Sequence, residues 1–142
     1  MKVGFTGTKI GMTVKQRKCL EMILDRIDPE EFHHGDCVGA DAQAHIIALE
    51  HLGIPVHMHP PIKKVFCANS EGAAKIYEDK DYLVRNRDIV DATDILLACP
   101  KRKDEELRSG TWMTIRYARQ QGKDIRIIYP DGNLGTYSFT IP

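Results

Sequence analysis

Short unbroken apolar runs alternate along this chain with stretches in which apolar residues recur every three or four positions. The first run, residues 2–6, is bounded by Gly7 and has the look of a buried strand. Thr13-Val14-Lys15-Gln16 then matches a helix-opening capping box, with Leu20, Ile23, Leu24 and Ile27 following at helical spacing until Asp28-Pro29 stops them. Residues 31–34 form a short strand. A helix over 41–52 carries Ala44, Ile47, Ala48 and Leu52 on one stripe, and Gly53 ends it.

A third strand covers 54–58 and is closed by Pro60-Pro61. Residues 62–76 show no period and read as a long loop able to serve as a lid. A helix over 81–92 turns Leu83, Ile89 and Val90 inward, and 94–99 is a strongly apolar strand ended by Pro100. A polar loop, 101–108, leads to a helix over 109–121 that Gly122 closes, then to a last strand at 125–129. In the tail, Asp131-Gly132 and Leu134-Gly135 suggest a short extra hairpin.

Strands that alternate with helices, and that lack in-out alternation themselves, belong in a parallel sheet covered on both faces. The chain of 142 residues is therefore expected to form a single Rossmann-like three-layer α/β/α domain, residues 1–142, with a mainly parallel sheet of about five strands.

Three Gly-bearing segments fall at strand-to-helix junctions: Thr6-Gly7-Thr8, Gly35-Asp36-Cys37-Val38-Gly39-Ala40-Asp41, and Ser109-Gly110-Thr111. The carboxyl ends of parallel strands share one edge, so these junctions should converge. Helix N-termini offer unpaired N–H groups, and glycine lets an anion approach them. The expected ligand is a nucleotide or nucleotide-derived small molecule. Gly7, Thr8, Gly35, Gly39, Ser109, Gly110 and Thr111 would cradle its phosphate or ribose, with Lys9 close by. Thr6 to Gly11 has neither P-loop nor G-x-G-x-x-G spacing. Asp36 could contact the ligand. Asp41 could do so or could act purely as a helix cap, and His45 has a packing or buried hydrogen-bonding role. Arg85 and Arg87 offer charge neutralisation, with Asn86 between them a further ligand-binding candidate, although either arginine could instead pair with a neighbouring Asp. Trp112 could stack on a base or fill core.

The formal net charge is zero, which argues against bulk coating of nucleic acid, but residues 101–126 hold eight Lys/Arg against four Asp/Glu. That surplus suits an anionic ligand beside the third Gly segment. The four cysteines (19, 37, 67 and 99) form no C-x-x-C pair and suit reduced, buried thiols. No signal-peptide pattern and no apolar stretch of about 20 residues is present, so a cytoplasmic protein with no membrane partner is expected. His33, His34 and Cys37 could meet His57 and His59 if their strands were neighbours, and such mixtures suit zinc. Their spacings carry no metal signature, so no metal and no cofactor is assigned.

The segments Gly39-Ala40-Asp41-Ala42-Gln43-Ala44-His45-Ile46-Ile47-Ala48-Leu49, Arg85-Asn86-Arg87-Asp88-Ile89-Val90 and Ser109-Gly110-Thr111-Trp112-Met113-Thr114 together resemble the successive signatures of the DNA-processing protein A (Smf-type) Rossmann-like core. That family sits with the lysine-decarboxylase-like LOG phosphoribohydrolases in the SLOG superfamily. The resemblance spans most of the chain and implies a nucleotide-related or nucleic-acid phosphate ligand held by the three loops, in a protein of a kind that commonly forms homodimers. Two departures shape the expectation. The extra domains usual around a DNA-processing core are missing. The catalytic Glu that LOG enzymes carry early in the late helix is also missing, because Trp112-Met113-Thr114-Ile115-Arg116-Tyr117 holds no carboxylate. Binding of a nucleotide signal, for sensing or sequestration, is therefore the expected function. The alternatives are an N-glycosidase using Asp36 or Asp41, and a small DNA-binding module related to recombination mediators.

Overall fold

The computed structural model describes residues 1–138. Its strands are β1 (Lys2–Gly7), β2 (Glu31–His34), β3 (Val56–Met58), β4 (Lys75–Ile76), β5 (Ile95–Cys99), β6 (Asp124–Ile128) and β7 (Leu134–Tyr137). Its helices are α1 (Val14–Ile27), α2 (Ala40–Ile46), α3 (Tyr82–Asp91) and α4 (Gly110–Gln120); Ile47–His51 continues α2 as a wider π turn. One sheet runs in the order β4-β3-β2-β1-β5-β6-β7, parallel throughout except for antiparallel β7. This is the Rossmann-like α/β fold expected, with seven strands instead of about five. The two additional strands sit at the edges. Lys75–Ile76 is too short and exposed to leave a period in the sequence. β7 pairs with β6 across the Asp131-Gly132 turn, so the expected tail hairpin uses Leu134-Gly135 as strand rather than as a turn.

Each face of the sheet buries a core. Val3, Phe5 and Phe32 pack with Leu20 and Leu24 of α1 and with Ala44 of α2. On the opposite face Leu96, Ala98, Ile125 and Ile127 meet Val90 of α3 and Ile115 and Ala118 of α4. β5 feeds both faces, which is why all five of its residues are buried and none alternates with polar neighbours.

The capping box at α1 forms as its sequence predicts. Gln16 N–H donates to Thr13 Oγ1 at 3.1 Å and Thr13 N–H donates to Gln16 Oε1 at 2.9 Å. The buried Gln16 amide also donates to the carbonyls of Pro100 and Ile128, both at 2.9 Å. One helix start thereby fixes the chain just beyond β5 and the end of β6.

β1 is the turning point of the topology. Chain order runs outward from it through β2 and β3 to β4, then resumes on its other side at β5. The loops leaving β1 and β5 diverge to opposite faces, opening a crevice at their carboxyl ends, where ligands of such folds bind.

Candidate functional site at the carboxyl edge

Two adjoining cavities of about 420 and 520 Å³ occupy that crevice and share Lys9, Tyr82, Arg108 and Gly110. The smaller is bounded by the Gly7-Thr8 turn on one side and by Ser109, Gly110 and Thr111 on the other. Ser109 caps α4, its hydroxyl accepting from Trp112 N–H at 3.2 Å. The amides of Gly110 and Thr111 lie in the first turn, where helix geometry supplies no acceptor, so they are free to bind an anion. Thr8 is held by its own N–H donating to the Cys99 carbonyl at 3.0 Å, while its carbonyl accepts from Gly11 and Ala40. Of the residues read from sequence, Gly7, Thr8, Lys9, Ser109, Gly110 and Thr111 are thus brought together.

Lys101 and Arg108 join Lys9 at the cleft. The Lys9 ammonium lies 4.1 Å from the centre of the Phe66 ring and 5.7 Å from that of Tyr82, so two aromatic walls flank a cation. Phe66, Tyr82, Lys101 and Arg108 were not singled out by sequence reasoning. The positive surplus beginning at Lys101 was the signal for two of them, while Phe66 is hidden in an aperiodic loop. Glu106 also lines the smaller cavity, and its Oε1 is buried with no hydrogen-bond partner among the described residues.

The second Gly segment is a brace rather than a cradle. Asp41 is buried, and its Oδ2 accepts from the amides of Gly35 (3.1 Å) and Cys37 (3.2 Å). Burial pushes its carboxyl up to about 6, against the opposing pull of Arg85 and those two amides. Asp36, with φ +53°, accepts from Ser70 N–H at 3.0 Å and from the Cys67 thiol at 3.4 Å. Gly39, at φ +83°, lies so close to the Lys9 carbonyl that a Cβ would overlap it. The Gly35 carbonyl is gripped by Arg85, whose guanidinium also reaches the His59 carbonyl (3.2 Å) and Cys37 Sγ (3.6 Å).

Five of the residues expected at the ligand are engaged in contacts within the protein. Arg85, Gly35, Asp36, Gly39 and Asp41 hold protein to protein. Asn86 and Arg87 line a neighbouring groove between α3 and α4 that shares Leu83 and Met113 with the larger cavity, and Arg87 lies 5.2 Å from the centre of the Tyr117 ring. Trp112 is 3% exposed and belongs to the core under α4, so it offers no stacking face to the cleft.

His45 makes the buried hydrogen bonds expected of it. Asp36 N–H donates to His34 Nδ1 (2.9 Å), so His34 Nε2–H donates to His45 Nδ1 (2.9 Å) and His45 Nε2–H donates to the Glu71 carbonyl (2.6 Å). This chain ties the 62–76 loop to α2 and β2. Ala68 N–H donating to the Asp36 carbonyl (2.8 Å) and Val38 N–H donating to the Phe66 carbonyl (2.9 Å) add two more ties. The loop that contributes Phe66 to the cleft is thus anchored on the second Gly segment.

The fold and cleft define a Rossmann-like α/β protein with a crevice at its topological switch point. Solved structures that share the fold include the following two. One is a molybdenum cofactor binding protein from the phototrophic bacterium Rippkaea orientalis, 17% identical, with a TM-score of 0.68 over 90% of this chain and 76% of that one. The other is the X-ray structure of TM1055, 18% identical, with a TM-score of 0.61 over 87% of this chain and 71% of that one. No protein-family model matches the chain, and no curated protein is similar to it in sequence. Among the described residues, no helix is long and apolar enough to cross a membrane.

Proposed function

We propose that this chain is a SLOG-type binding module that holds a nucleotide or nucleotide-derived ligand in the crevice between the β1 and β5 loops, for sensing or sequestration. The observation that carries this reading is the pair of free amides at Gly110 and Thr111, facing the Gly7-Thr8 turn with Lys9, Lys101 and Arg108 around them. Such an arrangement favours a phosphate through helix-end amides and through ammonium and guanidinium groups. Phe66 and Tyr82 give the adjoining space apolar walls suited to a base or another flat ring. A cofactor-binding protein among the fold neighbours is compatible with a small-molecule ligand here.

A second reading has one observation in its favour. Hydrolysis of an N-glycosidic bond needs an acid/base carboxylate, and Asp36 and Asp41 are both committed to structural hydrogen bonds. Glu106, with its unpartnered Oε1 at the cleft, is the carboxylate such an enzyme would use.

The test is a thermal-shift screen against nucleotides, cyclic nucleotides and ADP-ribose derivatives, followed by native mass spectrometry. A ligand at 100 times its Kd adds about 2.7 kcal/mol, a clear shift. Stabilisation by an intact nucleotide supports the binding module. Recovery of free base and ribose phosphate, abolished by Glu106→Gln, supports the hydrolase. No response to any of these compounds overturns both, and steeply salt-dependent DNA binding would then identify the nucleic-acid module instead.

A further inference from the structure

Away from the cleft, β2 and β3 lie side by side with His33 in register with His57. Two residues before His33, and on the same face of its strand, stands Glu31. One carboxylate oxygen and one nitrogen from each ring all fall within 4.8 Å of one another. Glu31 Oε1 is 2.8 Å from His33 Nε2 and 3.7 Å from His57 Nδ1. We propose that Glu31, His33 and His57 form a binding site for a divalent transition-metal ion, with zinc the best fit.

Four features argue for it. First, tetrahedral zinc with bonds of about 2.0–2.1 Å places its ligand atoms about 3.3 Å apart; the two carboxylate-to-imidazole spacings, 2.8 and 3.7 Å, lie within about half an ångström of that, and the two ring nitrogens lie within 4.8 Å of each other. Secondly, the donor set selects the metal. Two imidazoles and one carboxylate suit zinc, cobalt or nickel, whereas magnesium and calcium require mostly oxygen.

Thirdly, the outer partners are those a ligating histidine needs. His33 Nδ1 is 2.8 Å from His59 Nε2, so when Nε2 binds metal the ring proton can sit on Nδ1 and be donated to His59. His59 is itself held in place, its ring stacked on Tyr77 with centres 4.0 Å apart and its carbonyl gripped by Arg85. The Tyr77 hydroxyl is 3.0 Å from His57 Nδ1 and bonds that nitrogen in the metal-free protein, so a bound ion would take its place. Fourthly, the site is reachable, because the Glu31 and His57 side chains are 24% and 14% exposed while His33 is enclosed. Neither His34 nor Cys37 takes part, since His34 bonds to His45 and Cys37 to Arg85.

The test is titration of chelator-treated protein with Co²⁺ and Zn²⁺, with Mg²⁺ as control. One equivalent of Co²⁺ should give visible d–d absorption that Zn²⁺ displaces, and Mg²⁺ should do nothing. Glu31→Gln and His57→Asn should each weaken binding at least about 100-fold, beyond the loss usual for an outer-shell partner. In the unaltered protein, Zn²⁺ should shift the ring ¹⁵N resonances of His33 and His57 and leave those of His34 and His45 in place. Absence of binding, retention of affinity in both variants, or shifts confined to other histidines or to cysteines would each overturn the site.

Discussion

Arg85 of α3 donates from its buried guanidinium to the carbonyl of Gly35, fifty residues earlier at the end of β2. A methyl group at Gly35 would overlap that guanidinium, so the glycine admits the arginine. The same side chain reaches the His59 carbonyl and lies 4.9 Å from the Tyr82 ring. It ties the ends of β2 and β3 to the helix that supplies a wall of the cleft.

Arg85→Met should therefore act on folding before it acts on binding. It would strand two buried carbonyls and remove the positive charge that offsets ionised Asp41, at a cost of about 3 kcal/mol. Gly35→Ala should destabilise through the same contact. Urea unfolding is the measurement; a loss under about 1 kcal/mol for Arg85→Met would mean that the clamp contributes little.

Ligand affinity should divide the cationic residues into two groups. Lys9→Ala and Arg108→Ala, both at the cleft, are expected to weaken the stabilising nucleotide at least about tenfold each, as loss of a charge-assisted contact would. Asn86→Ala and Arg87→Ala face the other groove and should leave affinity unchanged. Calorimetric titration of the four variants decides it, and a reversed pattern would move the ligand to the groove between α3 and α4.

The pattern of these residues shows what sequence can and cannot convey. Local signals carried well: the Thr13–Gln16 box, the Ser109 cap and the evenly apolar β5 all rest on neighbours in the chain. Gly7 and Gly110 meet at one cavity because a strand-to-helix junction in a parallel sheet has only one edge on which to lie. Roles set by long-range packing were not legible. Arg85 looks like a phosphate ligand until α3 is seen to deliver it beneath Gly35. Asp36 and Asp41 look available until the amides of Ser70, Gly35 and Cys37 are seen to occupy them. The Glu31, His33 and His57 grouping depends on strand order and register, which no spacing encodes.

Asp41 should give stability an unusual pH dependence. Its folded value of about 6 lies above the roughly 3.9 of an unfolded aspartate, so between those values the native state holds a proton that the unfolded state releases. Its contribution is fully favourable below about pH 4 and is lost as pH rises through 6. Asp41→Asn keeps an oxygen for the two amides and carries no charge. Relative to the unaltered protein it should gain about 3 kcal/mol of stability between pH 4 and pH 7. Urea titrations across that range test this, and a constant difference between the two proteins would remove buried ionisation as the cause.

The histidines act in the opposite sense and should dominate in acid. Burial lowers His33, against the opposing pull of Glu31, lowers His34 well below its ordinary value and pushes His59 down to about 3, so His34 and His59 stay neutral in the native state as the pH falls through 6. Below about pH 6.5 the unfolded chain takes up protons that the folded chain refuses, and stability falls by about 1.4 kcal/mol per pH unit for each such proton. Asp41 offsets one of these protons between about pH 6 and 4, leaving a net loss on acidification. His59→Phe preserves a ring against Tyr77 and removes one of these sites. Its unfolding free energy should therefore decline less steeply between pH 6.5 and pH 5, by about 1.4 kcal/mol per unit. An unchanged slope in the His59→Phe protein would show that the acid sensitivity arises elsewhere.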